Sequence, residues 1–309
     1  MKKLFFFLLL FSGVEFSFAQ KKEKAVALAD GNCKEDQWEL EFEENFEGSS
    51  LDLAVWKMRE YSQGSMSTEG VEGYYTLDNI LIENGICKII PKKETLLRKA
   101  VSWQPDSMKL GDGNINLRTY NYTSAWIETR KLYRYGKFEV RCKIPKEKGF
   151  WPSFWMYGME NGVNNEIDVF EFWNEHNSFG KFSAKKLSMV NHMTMHYNKK
   201  MSSKSYTGPD YSTDFHTFAV VWDTTKIEWY VDGKLQRTAT QYVTKRGKNV
   251  ECKDIKSNET YYLNPVFPKD PMNIIANLAI QTGKNKPLVE TFSNAFEIDY
   301  IRYYKPLPK

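Results

Sequence analysis

The chain has 309 residues, 41% of them hydrophobic and 15% aromatic, with a formal net charge of +4. That length admits two average domains or one large all-β sandwich. The positive surplus is too small and too scattered to argue for nucleic acid, and an anionic polysaccharide would be tolerated without being demanded.

In chain order, residues 1–19 read as a cleaved signal peptide: Lys2 and Lys3 precede an apolar run from Leu4 to Phe11, and Ser17-Phe18-Ala19 forms a small-x-small cleavage signal before Gln20. The apolar run is too short to span a bilayer, and no later segment approaches the roughly 18 apolar residues a membrane helix needs. No Cys directly follows the cleavage site, so a lipid anchor there is not indicated. The mature protein is expected to be soluble and either secreted or periplasmic. Residues 20–36 form an N-terminal extension and residues 37–309 one domain, because no Pro/Gly/Ser linker, internal repeat or low-complexity tract divides them.

Strand signals then recur: Trp38 to Phe46, Tyr74 to Ile80, Cys87 to Pro91, Ala125 to Thr129, Tyr135 to Ile144, Phe150 to Tyr157, Glu166 to Trp173, Met193 to Tyr197, His216 to Trp222, Lys226 to Val231, Met272 to Ala279 and Phe296 to Tyr304. Asn84-Gly85 and Asp232-Gly233 mark tight turns between some of them. No run of helical period and length appears. The pattern predicts an all-β sandwich of many antiparallel strands, with a long irregular insert from about Lys92 to Asn121 that would shape a binding cleft. Cys33, Cys87, Cys142 and Cys252 lack the spacing of a zinc site. Export permits a disulfide, and free buried thiols are an equal reading.

One strand carries an anomaly. Asn165-Glu166-Ile167-Asp168-Val169-Phe170-Glu171-Phe172-Trp173 places three acids among β-branched and aromatic residues, where a carboxylate is costly unless it is paired or used. On a regular strand Glu166 and Asp168 share a face, whereas Glu171, five positions from Glu166, points away. A one-residue bulge between Asp168 and Glu171 brings all three to one face. Crowded carboxyls must then split their proton affinities. That division suits retaining glycoside hydrolysis, in which one carboxylate attacks the anomeric carbon and one acid protonates the leaving oxygen.

Upstream, Gly149-Phe150-Trp151-Pro152-Ser153-Phe154-Trp155 puts Trp151, Ser153 and Trp155 on one face by period two. Indoles beside carboxylates would stack sugar rings, although each tryptophan could equally be core. Trp173 shares the face of Glu171 with the same two readings.

NEIDVFE preceded by GFWPSFWMYG resembles the signature of glycoside hydrolase family 16, the laminarinase, agarase and κ-carrageenase-like group. Further matching stretches are Tyr135-Gly136-Lys137-Phe138-Glu139-Val140-Arg141, Asp214-Phe215-His216-Thr217-Phe218, Ile227-Glu228-Trp229-Tyr230-Val231-Asp232-Gly233, Asn277-Leu278-Ala279 and Ile298-Asp299-Tyr300-Ile301-Arg302-Tyr303-Tyr304. The resemblance runs from about Trp38 to Tyr304. It implies a concanavalin A-like β-jelly roll of two antiparallel sheets with an open concave cleft. It also implies Glu166 as nucleophile, Glu171 as acid/base and Asp168 as the helper that hydrogen-bonds the nucleophile, with Trp155 facing the cleft.

Three departures from the laminarinase pattern stand out. Ser124-Ala125-Trp126-Ile127 puts an indole where relatives carry an Arg, Asn165 replaces a Gly before the first catalytic Glu, and Ile280-Gln281-Thr282-Gly283 replaces a Gly-Gly pair. All three are expected to alter the sugar-facing surface.

His196, on the strand after the acids, could contact substrate or be a hydrogen-bonded core residue. His216 is expected to close a structural hydrogen bond, and His176 and His192 carry no signal. Asp299 resembles a position that holds a structural calcium in some relatives. No cofactor is otherwise expected, and no catalytic metal. The leading expectation is an exported, monomeric, endo-acting retaining β-glycanase whose partner is a polysaccharide, a β-1,3- or β-1,3/1,4-glucan first. A marine galactan such as agar, porphyran or carrageenan is the alternative, and a non-catalytic lectin or a transglycosylase lies further off.

Overall fold

The computed structural model describes residues 24–25, 37–58, 71–100, 104–109, 113, 115–172, 190–281, 286–287, 292 and 294–307. The expected leader, most of the N-terminal extension, Cys33, Trp173 and His176 lie outside these residues.

Side chains alternate across a strand, so a strand with one apolar face must bury it. Lys226–Val231 shows this most plainly, with Ile227, Trp229 and Val231 buried and the residues between them partly exposed. Strands of this kind assemble into two eight-stranded sheets packed face to face. The first runs in the order Lys200–Thr207, Val190–Tyr197, Val163–Phe172, Phe150–Glu160, Asn273–Gln281, Trp126–Thr129 and Trp56–Met58, with Val71–Glu72 pairing Asn273–Gln281. The second runs Lys234–Thr240, Lys226–Val231, His216–Trp222, Gly136–Lys143, Phe296–Pro306, Ile86–Ile89 and Ile80–Glu83, with Trp38–Glu44 pairing Phe296–Pro306. Every pairing within the two sheets is antiparallel. This is the expected jelly-roll sandwich.

One continuous apolar core fills the space between the sheets. Trp56, Trp222, Trp229, Phe138, Phe154, Phe170 and Phe218 are among its fully buried side chains, each contributing about 1.5–3 kcal/mol by removal from water. The two turn signals are hairpins whose central residues all have positive φ: Asn84 at 53° with Gly85 at 73°, and Asp232 at 47° with Gly233 at 71°. That is the condition for the tight turn matching strand twist.

Two sequence expectations need correction. The insert from Lys92 to Asn121 is not irregular throughout, because Lys92–Lys99 and the strand Leu117–Ser124 form an antiparallel hairpin with a bulge between Lys93 and Leu96. Its polar residues hid a strand whose burial nonetheless alternates. Tyr74 to Ile80 is broken by a 3-10 turn at Leu77–Asn79, which Thr76 caps by accepting from the Asp78 amide. Of two polar hairpin arms, Lys200–Thr207 has no strand signal in the sequence, and Lys234–Thr240 follows the Asp232-Gly233 turn. Finally, the cysteines split between the two readings: Cys87 and Cys142 are free and buried, and Cys252 is disulfide-bonded. Burial pushes both free thiols far above their ordinary titration range, which makes them unreactive. Among the described residues no helix is long and apolar enough to cross a membrane.

Candidate active site

The bulge predicted from the odd spacing of the acids is present. Against Phe150–Glu160, Phe170 pairs with Phe154 and Asp168 with Trp155, leaving Val169 without an opposite residue. On the other side, Asp168 opposes Thr194 and Glu171 opposes His192, so three steps on one strand match two on its neighbour. Consecutive Val169 and Phe170 are both buried, at 1% and 0% exposure, alongside Ile167 and Phe172. Their burial in the core drives the phase change: two successive residues turn inward, and Glu171 returns to the face of Glu166 and Asp168. The irregular pairing at the bulge does not leave the Asp168 carbonyl unsatisfied, because Trp229 of the opposite sheet donates its indole N–H to it at 2.8 Å.

All three acids line one cleft, about 180 Å³ in volume, together with Tyr75, Trp126, Trp151, Ser153, Trp155, Asn277 and Ala279. Pockets that engulf small molecules enclose roughly 300–1,000 Å³, so this groove is smaller than a pocket of that kind. Acids, aromatics, a hydroxyl and an amide line it; among the described residues no Lys or Arg does.

Asp168 is 2% exposed. Burial and the nearby charges of Glu171 and Glu166 push its carboxyl well above the usual range, partly offset by the Arg237 guanidinium. Burial and the Glu171 charge also raise Glu166, to about 8, while a side-chain hydrogen bond with Asp168 pulls it back. The group therefore retains a proton at neutral pH, and the more deeply buried Asp168 is where it costs least. His196 Nε2 lies 3.3 Å from Glu166 Oε1 and 3.9 Å from Asp168 Oδ2. Desolvation lowers its affinity for a second proton, so near neutral pH the contact is between a carboxyl and a neutral imidazole. His196 thus faces the acid side of the sheet rather than the core.

The aromatic wall is held from behind. Trp151 donates to Glu171 Oε1 at 3.1 Å, and Trp155 donates to Asn277 Oδ1 at 2.7 Å. Asn277 in turn donates to the Tyr75 hydroxyl at 3.2 Å. Trp126 stands edge-on to Trp155 with ring centroids 5.1 Å apart, and its indole N–H donates at 2.8 Å to the buried Glu128, whose charge Lys57 balances at 2.7 Å. Period two therefore placed Trp151 and Trp155 correctly, and Trp126 does occupy the cleft wall. Tyr75, Asn277 and Glu128 were missed as site residues; Asn277 alone had a signal, in a stretch matching the family.

Asn165 corrects an expectation. It is fully buried, donates to Asp270 Oδ2 at 2.9 Å and accepts from the Lys269 and Asp270 amides, tethering a loop instead of facing sugar. Ile280 is likewise core, and Gln281 is 4% exposed. His216 makes its structural contact, Nδ1 to Asp232 Oδ2 at 2.8 Å. Asp299, the residue of the calcium expectation, is ion-paired with Arg141. Among the described residues, the ligand atoms of Glu166, Asp168 and His196 lie within 4.8 Å of one another. Spacing alone would admit a cation there, but the burial of Asp168 favours a proton over the charge that a cation would need.

The profile of "Glycosyl hydrolases family 16" matches residues 97–302. The chain is 25% identical over 295 residues to the glucan endo-1,3-beta-glucosidase A1 of Niallia circulans, covering 86% of this chain and 38% of that protein. It is 27% identical over 301 residues to a beta-glucanase of Rhodothermus marinus, covering 90% of this chain and 88% of that one. Among solved structures, the catalytic domain of an endo-1,3-beta-glucanase (laminarinase) from Thermotoga petrophila superposes with a TM-score of 0.62 at 27% identity, over 88% of this chain and 99% of that one.

Proposed function

The chain belongs to family 16 of the glycosyl hydrolases, and on that footing we propose that it is an exported, endo-acting, retaining β-glycanase that cleaves a β-1,3- or β-1,3/1,4-glucan. One observation carries the reading: a bulge gathers Glu166, Asp168 and Glu171 on the floor of an open groove walled by indoles. An open groove lets a polymer lie across the acids and be cut internally, without threading an end.

In this reading Glu166 is the nucleophile and Glu171 the general acid/base. With Glu171 carrying its proton, its repulsion on Glu166 is absent, and the hydrogen bond from Asp168 leaves the negative charge on Glu166. Glu166 attacks the anomeric carbon as Glu171 gives its proton to the departing glycosidic oxygen, and a glycosyl ester with Glu166 forms. Glu171, now a carboxylate, takes a proton from water; that water displaces Glu166 and restores both groups. Asp168 holds its hydrogen bond to Glu166 throughout.

The uncharged lining apart from the acids supports a neutral glucan over a sulfated galactan, because a groove that recognised sulfate would present Lys or Arg to it. The names of the glucanase relatives point the same way. Reducing-sugar release from laminarin, lichenan, agarose, porphyran and carrageenan tests the assignment. Cleavage of laminarin or lichenan is expected; cleavage of a galactan alone would overturn the substrate, and binding without cleavage of any polymer would leave a lectin. Product analysis at high acceptor concentration separates hydrolysis from transglycosylation. The leader at residues 1–19 supports export, which the N-terminal sequence of the protein recovered outside the cytoplasm would test.

A further inference from the structure

A second polar arrangement lies behind the acids, on the core side of the sheet. Trp229 and Arg237 are cross-strand partners on the second sheet, and the Arg237 guanidinium stacks over the Trp229 ring with Cζ 4.4 Å from its centroid. Trp229 spends its indole N–H on the Asp168 carbonyl within the bulge. Arg237 donates through Nη1 to the Met193 carbonyl, on the strand flanking the acids, and through Nη2 to Ser202 O at 3.0 Å and Ser202 Oγ at 2.9 Å on the next strand. The two residues therefore tie three neighbouring strands of the acid-bearing sheet to the sheet behind it.

Arg237 is 7% exposed, and among the described residues no carboxylate forms an ion pair with it. A buried cation with no direct counter-ion is costly, so its compensation must come from charge further away. Asp168 and Tyr206 are the titratable groups that act on it; the other cation on that side is Lys204, which lies over the Tyr206 ring. Asp168 in turn faces Glu166, Glu171 and His196 in the cleft. Stacking on Trp229 lowers the cost of holding the guanidinium there.

We propose that Trp229 and Arg237 are positioning residues for the acid cluster: Trp229 fixes the bulge backbone through the Asp168 carbonyl, and Arg237, stacked on Trp229 and bonded to the Met193 carbonyl and to Ser202, braces the flanking strands and sets a positive charge behind Asp168. The inference rests on the catalytic reading of the three acids. Arg237 places one positive charge across the sheet from the cluster, on the side of Asp168. The guanidinium also lowers the proton affinity of Asp168, so losing it raises that of the cluster.

The test compares the full chain with Arg237→Met, Arg237→Lys and Trp229→Phe. Side-chain carboxyls carry a carbon-13 label, are titrated by NMR and are assigned from Asp168→Asn and Glu166→Gln spectra. Arg237→Met is expected to raise the titration midpoint of the cluster by roughly one pH unit. The acidic limb of kcat/KM should move upward by the same amount. Arg237→Lys, which keeps the charge, should leave the midpoint in place. Trp229→Phe should lower kcat about tenfold with KM within about twofold, the loss of one buried hydrogen bond that acts on the acids and not on substrate. An unchanged midpoint in Arg237→Met overturns the proposal, as does unchanged kcat in Trp229→Phe. Should Arg237→Met fail to fold, Arg237→Gln, which keeps an amide donor and removes the charge, is read in the same way. The titration reports whether or not glucan is cleaved. Normal titration shifts in a protein inactive on glucan therefore overturn the function alone, and an unshifted midpoint in an active enzyme overturns the positioning device alone.

Discussion

Trp151 donates its indole N–H to Glu171 Oε1 at 3.1 Å, from the strand that runs beside the bulge. In the proposed mechanism the bond fixes the rotamer of the carboxyl that protonates the glycosidic oxygen. Hydrogen bonds to charged groups are worth about 1.5–3 kcal/mol. Trp151→Phe keeps the ring but loses the donor, and it is expected to lower kcat/KM by roughly ten- to a hundredfold in steady-state assays on laminarin, with an unchanged circular dichroism spectrum.

Asp168 makes stability depend on pH in a defined direction. Burial and the neighbouring acid charges hold its carboxyl in the fold well above the ordinary range. As pH rises past about 4 the unfolded chain releases a proton that the folded one retains, so stability is full below that pH and declines above it. Asp168→Asn removes that decline. Its melting temperature, relative to that of the parent, is expected to be higher at pH 8 than at pH 3 by at least about 2–4 °C, the equivalent of about 1 kcal/mol. Thermal melts at the two pH values check this.

Trp126 and Trp155 form the edge-to-face corner of the groove. Neither indole reaches the carboxyls by a hydrogen bond, since Trp126 spends its donor on Glu128 and Trp155 on Asn277. In the proposed function their contribution falls on sugar binding. Trp126→Ala is expected to raise KM about tenfold, the equivalent of about 1.4 kcal/mol, with kcat changed by less than about threefold. A fall in kcat at constant KM would place Trp126 with the chemistry instead.

Gly158 lies where the strand Phe150–Glu160 passes under the loop leading into Asn273–Gln281. A Cβ there would sit 2.1 Å from the Pro271 carbonyl oxygen, a backbone atom that cannot swing aside. Gly158→Ala is expected to destabilise the fold by about 1–3 kcal/mol, read as the shift in urea midpoint at constant slope.

The bulge was legible because its evidence is local. Glu166 and Asp168 sit two apart and Glu171 an odd number further on, amid residues that have to be buried, and one extra residue is the smallest correction. The same period-two argument placed Trp151 and Trp155. The reading failed at Asn165, where it rested on the family pattern rather than on period two; its neighbours in sequence say nothing of the Asp270 loop it holds 105 positions away. It also failed for Lys200–Thr207, an edge strand with Ser, Lys and Met outward, where polar composition conceals β structure. Trp229 read as scaffold, and so it is; its contact with the Asp168 carbonyl lies 61 residues away, across the sandwich, and only the packing of the two sheets creates it.

The division of labour between Glu166 and Glu171 is tested most directly by adding azide to Glu171→Ala acting on a glucan substrate with a good leaving group. Without its base the glycosyl ester on Glu166 should persist, and azide, which needs no deprotonation, should displace it and restore turnover. The predicted product is a β-glycosyl azide, the outcome of two successive inversions at the anomeric carbon. An α-glycosyl azide, or a variant that keeps the parent's rate and ignores azide, would contradict the account.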